Sequence, residues 1–231
     1  MSRSSFVVYY GHDARQIPRL QESELLILEP QGWSDEQLVE LKSNGSKLIG
    51  YLSLLAWPDW RGPTKWWWGR KERDPQWSAW WMSLSSPGWK RQAQNLLNSL
   101  HPLLDGVFFD NLDRLQQDQK SLKPLQALLK KLRKERPQAL LIGNRGFAHW
   151  HALAPYLDGI LFENLTDQAF SKHDLAWVEE QLLQLQGTKI LALDYANRRQ
   201  EAVAQRLCQK FPGMAYYCAP DESLQSLSLE S

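Results

Sequence analysis

Asp105-Gly106-Val107-Phe108-Phe109-Asp110-Asn111-Leu112-Asp113 is the stretch from which the fold can be read. Val107, Phe108 and Phe109 form an apolar run without alternation, the pattern of a strand buried on both faces. The run ends abruptly in Asp110, Asn111 and Asp113, so a buried strand delivers carboxylates at its C-terminal end. The pattern recurs as Asp158-Gly159-Ile160-Leu161-Phe162-Glu163-Asn164. One such acid is as well explained as a cap on the following helix. Two strands that open in Asp-Gly and close in an acid and Asn favour a site.

Outward from these two segments, strands and helices alternate. Phe6 to Tyr10, Leu25 to Glu29 and Lys47 to Leu54 read as the first three strands. Ser34-Asp35-Glu36-Gln37 has the form of a capping box and opens a helix through Leu38, Val39 and Leu41. A helix near Trp89 carries Ala93, Leu96, Leu97 and Leu100 at helical spacing, and a second carries Leu122, Leu125, Leu128, Leu129 and Leu132. The charge of that second helix, from Lys120 to Arg136, is expected to be a solvated face. Ala139 to Asn144 is strand five, a helix over Phe147 to Tyr156 follows, and Asp158 to Glu163 is strand six. Ser171-Lys172-His173-Asp174 has capping-box form ahead of Leu175, Val178, Leu182 and Leu185. Lys189 to Asp194 and Met214 to Cys218 are strands seven and eight, with a short closing helix expected from Asp221.

Eight strands alternating with helices in 231 residues predict an α/β fold, one (β/α)8 TIM barrel over residues 1–231 with a long Trp-rich loop after strand three. A doubly wound nucleotide fold is disfavoured, because no Gly-x-Gly-x-x-Gly follows the first strand. A net charge of +1 gives no general case for nucleic acid or an anionic membrane as partner. Two cysteines, Cys208 and Cys218, are too few for a disulfide scaffold or a thiolate zinc site and are expected to be buried thiols. No apolar run reaches the roughly 20 residues of a membrane span. No signal peptide is visible, so the chain as written reads as cytoplasmic.

In a barrel, the ends of the strands line one mouth, which places Glu29, Asp110, Asn144, Glu163 and Asp194 together. Facing carboxylates suit glycosidic bond cleavage, for which Asp110 and Glu163, on alternate strands, are the candidate pair. The same mouth could hold a metal on oxygen ligands from Asp110, Asn111, Asp113 and Asp194. His12, His101, His149, His151 and His173 form no zinc motif, and neither cofactor nor metal is expected. Nine of the twelve tryptophans lie between Trp57 and Trp89. Trp57, Trp60, Trp66, Trp67, Trp68, Trp77, Trp80 and Trp81 are expected to form both a small core for their loop and a sugar-stacking wall, two or three rings reaching the cleft. Asp59 and Arg61 beside them are candidate hydrogen-bonding groups.

Tyr51-Leu52-Ser53-Leu54, Asp59-Trp60-Arg61, the Asp105 to Asp113 stretch, Asp158-Gly159 to Glu163, and Leu193-Asp194-Tyr195-Ala196 together resemble glycoside hydrolase family 114. The resemblance spans nearly the whole chain. It implies a TIM barrel that hydrolyses α-1,4-linked galactosamine or N-acetylgalactosamine polysaccharide, with Asp110 as nucleophile and Glu163 as general acid/base of a retaining reaction. It also implies a polysaccharide or oligosaccharide as partner, and relatives are often secreted. Substrate-contact candidates are Tyr9, Trp57, Asp59, Arg61, Asn111, Asp113, Asn144, Asp194 and Tyr195. Relatives tend to carry a small residue and an acid after strand three, where this chain has Leu54-Leu55-Ala56-Trp57. That departure keeps a non-catalytic carbohydrate-binding barrel open as an alternative, beside a metal-dependent hydrolase or lyase.

Overall fold

The structure, a computed structural model, describes residues 5–167, 172–185 and 187–227. Eight parallel strands follow one another around a single sheet in chain order: β1 (Val7–Tyr9), β2 (Leu25–Leu28), β3 (Lys47–Ser53), β4 (Gly106–Asp110), β5 (Leu140–Asn144), β6 (Gly159–Glu163), β7 (Lys189–Tyr195) and β8 (Ala215–Ala219). This is the (β/α)8 order, nearly closed into a barrel. Between β8 and β1 closure comes from side chains and a loop. The Phe6 and Tyr217 rings meet edge to face at 5.9 Å, and the Tyr10 N–H donates to the Leu224 carbonyl at 2.7 Å.

The apolar runs of β4 and β6 are sorted by the period of two. Phe108 and Leu161 join Ile49, Ile142 and Leu191 in one cluster inside the barrel. Val107, Phe109, Ile160 and Phe162 face the other way, against the surrounding helices. Those helices are α1 (Ile17–Leu20), α2 (Asp35–Lys42), α3 (Pro87–Asn98), α4 (Leu122–Glu135), α5 (Trp150–Leu153), α6 (Lys172–Gln184) and α7 (Glu201–Lys210). The Ser34–Gln37 capping box opens α2 in both directions. Leu125, Leu128, Leu129 and Leu132 bury the face of α4 predicted from their spacing, each contributing about 1.5–3 kcal/mol. The charged side of α4 is partly structural, since Arg133 and Arg136 donate to the carbonyls of Ala139, Tyr156 and Leu100.

Three expectations change. The helix over Phe147 to Tyr156 is a 3-10 turn, Phe147–His149, followed by the short α5. The described residues after Asp221 form bends rather than a helix, and Leu224 adopts φ 55°. Cys208 and Cys218 are thiols not joined in a disulfide, and both are only half-buried. The Ser171 capping pattern lies outside the described residues. No helix among those described is long and apolar enough to cross a membrane.

The repeated Asp-Gly at the start of β4 and β6 has a structural cause. Asp105 accepts the N–H of Leu48 at 2.8 Å and the ammonium of Lys42 at 2.8 Å, tying β4 to β3 and α2. Asp158 repeats this against β5 and α4, accepting from Leu141 N–H at 2.8 Å and from Arg133 at 2.6 Å. At the glycines that follow, a neighbouring strand's backbone comes too close for a side chain. A Cβ on Gly106 would stand 2.1 Å from the Leu140 carbonyl oxygen, and one on Gly159 would stand 2.9 Å from that of Lys189. Gly106→Ala is therefore expected to destabilise the fold by about 2–3 kcal/mol, whereas Gly213→Ala, where a Cβ meets nothing within 4 Å, should be near neutral. Chemical denaturation of the two variants checks this.

Candidate active site

The inward phase of β4, β5 and β6 ends in Asp110, Asn144 and Glu163, and the three side chains meet. The Nδ2 of Asn144 donates to Asp110 Oδ1 and to Glu163 Oε2, both at 2.8 Å. These two carboxylate oxygens are therefore no more than twice 2.8 Å apart. Asn144 can serve both because β5 lies between the other two strands; it pairs with Leu161, one inward position before Glu163.

Asp110 is held on all sides. Its Oδ1 also accepts the Asn111 N–H at 2.7 Å, and its Oδ2 accepts Asn111 Nδ2 at 2.9 Å and the Tyr51 hydroxyl at 3.0 Å. Glu163 is held more lightly, by the Tyr195 hydroxyl on Oε1 at 2.7 Å and by Asn144. Arg145 stands between Glu163 at 3.8 Å and Asp113 at 3.7 Å. The residue after each strand-ending group is left-handed: Asn111 at φ 63°, Arg145 at φ 58° and Asn164 at φ 56°. Asn tolerates this region better than most residues, which accounts for the Asn after each acid. The turn ends the ladder directly behind the functional side chain.

Burial, and then the neighbouring Glu163 charge, push the Asp110 carboxyl up to about 6, against the opposing pull of its hydrogen bonds from Asn144, Asn111 and Tyr51. Burial beside the carboxylates also raises the hydroxyls of Tyr10, Tyr51 and Tyr195, so all three remain protonated donors.

The other predicted residues divide. Asn111 and Tyr195 bond directly to the pair, as described. Asp113 is at the rim with Arg145. Arg61 makes a buried ion pair with Glu29 at 2.8 Å and lies 5.7 Å from the centre of the Tyr51 ring. Asp59 faces solvent and pairs with Arg73. Three residues stand elsewhere. Tyr9 points away from the mouth, packs on Trp33 and accepts the Asp13 N–H; its neighbour Tyr10 is the one on the carboxylate side, edge to face with Tyr51 at 5.0 Å. Asp194 is likewise one residue out of phase. It is buried on the outer side, accepting Thr166 N–H and hydroxyl and the Tyr216 hydroxyl at 2.8–2.9 Å. Asp110, Asp113 and Asp194 thus do not converge on a common point, and the described residues contain no group of three metal-ligating side chains. Trp57 is buried in a triple cluster with Trp68 and Trp89, centroids 5.0–5.8 Å apart, and its N–H is taken by the Gly62 carbonyl. The long loop is itself a small antiparallel sheet, Ala56–Pro58, Arg70–Asp74 and Ala79–Met82, built over that cluster.

Tyr10, Tyr51 and Arg145 were not anticipated. Tyr51 could have been found from its phase, because it shares the inward parity of Ser53, which pairs with Asp110. Arg145 carries no sequence signal, since Arg rarely adopts a positive φ.

The mouth of this (β/α)8 barrel thus presents two half-buried carboxylates around one amide. The sequence matches the family model for glycoside-hydrolase family GH114 over residues 18–223, and the chain belongs to that family. It is a glycosidase. A comparison with curated protein sequences gave no match. Among solved structures it is similar to the glycoside hydrolase domain of PelA from Pseudomonas aeruginosa, with TM-score 0.79 and 22% identity over 98% of each chain. It is also similar to Aspergillus fumigatus Ega3 in complex with galactosamine, with TM-score 0.71 and 12% identity over 94% of this chain and 90% of that one. The α-galactosidase TtGalA from Thermus thermophilus shares the fold more distantly, with TM-score 0.62 and 11% identity over 98% of this chain and 60% of that one. At these identities the structural likeness is one of fold.

The raised Asp110 carboxyl has a consequence for stability. Unfolded, the group titrates near its ordinary value of 3.8; folded, near 6. Between these values the fold holds the additional proton, and raising the pH through the window destabilises it by about 3 kcal/mol. Asp110→Asn, neutral at every pH, should raise stability near pH 7 by about 1–3 kcal/mol and flatten its pH dependence between about pH 4 and 6. Thermal denaturation across that range tests the sign. Glu163→Gln removes the neighbouring charge and should bring the Asp110 titration below about 6, read by carboxyl 13C NMR.

Proposed function

We propose that this glycosidase cleaves α-1,4-linked galactosamine or N-acetylgalactosamine polysaccharide with retention of configuration, Asp110 being the nucleophile and Glu163 the general acid/base. The observation that carries the mechanism is the single Asn144 nitrogen at 2.8 Å from both carboxylates. Retaining enzymes hold their carboxyl groups roughly 5–5.5 Å apart and inverting ones roughly 6.5–9.5 Å, the wider gap admitting a water. The shared amide supports the closer spacing. Family membership supports the hydrolase class, and the likeness to PelA and Ega3, the latter with galactosamine, supports the amino sugar.

The roles follow from how each carboxylate is held. Asp110, fixed by four donors from three residues, is kept in one orientation for attack, and those donors oppose the burial and the Glu163 charge that raise its carboxyl. Glu163 has fewer donors and is freer to exchange a proton with the leaving oxygen and then with water. In the first step Asp110 bonds to the anomeric carbon while the proton of Glu163 passes to the departing glycosidic oxygen. In the second, Glu163 takes a proton from water as that water displaces Asp110. With the proton on Glu163 in the first step, its charge no longer opposes ionisation of Asp110.

Incubation with partly acetylated α-1,4-galactosaminan should release new reducing ends whose first-formed anomer is α by 1H NMR; a β product would refute retention. Glu163→Gln should lower kcat about 10²–10⁴-fold and Asp110→Asn at least as much. Unchanged hydrolysis in both variants would refute the assignment.

A further inference from the structure

Of the three left-handed residues that follow Asp110, Asn144 and Glu163, one breaks the pattern. Asn111 and Asn164 are of the type that this backbone accepts readily, whereas Arg145, at φ 58°, is a long side chain where Asn or Gly sits more easily. Backbone strain of this kind persists where the side chain serves the site. The Arg145 N–H donates to the Leu161 carbonyl at 2.9 Å, which ties the turn to β6, the strand that ends in Glu163. Its guanidinium stands 3.8 Å from Glu163 Oε2 and 3.7 Å from Asp113 Oδ2, outside hydrogen-bonding distance of both. Arg145 therefore brings charge to Glu163 and leaves its hydrogen bonds to Asn144 and Tyr195.

Among the described residues, no other cation pairs with Asp110 or Glu163. The remaining groups on the Glu163 side are Asp110 from β4, Asn144 from β5, Tyr195 from β7 and Tyr10 beyond β1. The amide is neutral and both hydroxyls stay protonated. Negative charge on Glu163 is thus opposed by Asp110 and offset by Arg145, and Arg145 is itself offset by Asp113. With Arg145 35% and Glu163 22% exposed, solvent weakens this coupling without removing it.

From this geometry we propose that Arg145 is a positioning residue that acts through Glu163. Its charge stabilises the carboxylate left when the Glu163 proton passes to the departing oxygen. Asp113 tempers that charge, so Glu163 still takes a proton from water in the second step. The proposal rests on the reading of Glu163 as acid/base.

Arg145→Asn installs the residue found at the two equivalent turns, which separates a role in the fold from a role in the site. It should melt at or above the wild-type temperature, with kcat about tenfold lower and KM little changed. Arg145→Lys, which keeps the charge, should recover part of kcat. The alkaline limb of kcat/KM should move up by about one pH unit in Arg145→Asn, because loss of a cation favours the protonated pair. It should move down in Asp113→Asn, which leaves Arg145 unopposed. The same opposed displacements are expected without substrate, in the carboxyl 13C titration of the pair. A lower melting temperature for Arg145→Asn overturns the proposal, as do displacements of one sign in both variants, or wild-type kcat with unmoved limbs. Opposed displacements in a protein that hydrolyses no galactosaminan would refute the acid/base reading, while the coupling of Arg145 to the pair would stand.

Discussion

The site depends on holding two acidic groups, Asp110 and Glu163, close together at a half-buried mouth. Burial and mutual repulsion both oppose their joint ionisation, and the rise of Asp110 to about 6 is the residue of that opposition. One amide offsets it. Asn144 donates from a single nitrogen to both carboxylates, while Tyr51, Tyr195 and Asn111 satisfy the remaining oxygens. The arrangement is possible only because three adjacent strands end at the same mouth with their last inward positions occupied by Asp, Asn and Glu. Left-handed turns behind each of them stop the strands at that point.

The lower end of the barrel mirrors this. Asp105 and Asp158 each collect a neighbouring strand's N–H and a basic side chain from the helix that leads into that neighbouring strand. Gly106 and Gly159 then admit a neighbouring backbone that any side chain would displace. The repeated segment is thus one structural unit used twice: an anchor, a close approach, an apolar middle, a carboxylate and a turn. Acid at the bottom stabilises the barrel, whereas acid at the top is partly destabilising and serves the chemistry.

Much of this was legible because it is local. Apolar runs, capping residues and the Asp-Gly echo identify the strands, their order and both carboxylates. The errors share one cause. Pattern alone does not separate Tyr9 from Tyr10 or Asp194 from Tyr195, because successive strand residues point to opposite faces and a strand buried on both sides has no hydrophobic alternation to mark the phase. Which of the loop tryptophans are buried, as Trp57 is, and which exposed, as Trp60 is, is hidden for a related reason. Composition shows that a loop of eight tryptophans must bury some of them, but the selection is made by Trp57 and Trp68 packing with Trp89 of α3, with the N–H groups of Trp57 and Trp89 bonded to Gly62 and Leu54.

The sequence by itself determined the eightfold alternation, the strand ends and the two acids, since these follow from short-range pattern and turn chemistry. The tertiary structure decided which side chains meet. The shared Asn144 nitrogen, the inward Tyr10 and Tyr51, Arg145 between Asp113 and Glu163, and the buried Glu29–Arg61 pair under Trp60 all join residues far apart in the chain. Their contacts are set by strand register and by the parity of each strand against its neighbours, quantities that exist only once the barrel has closed.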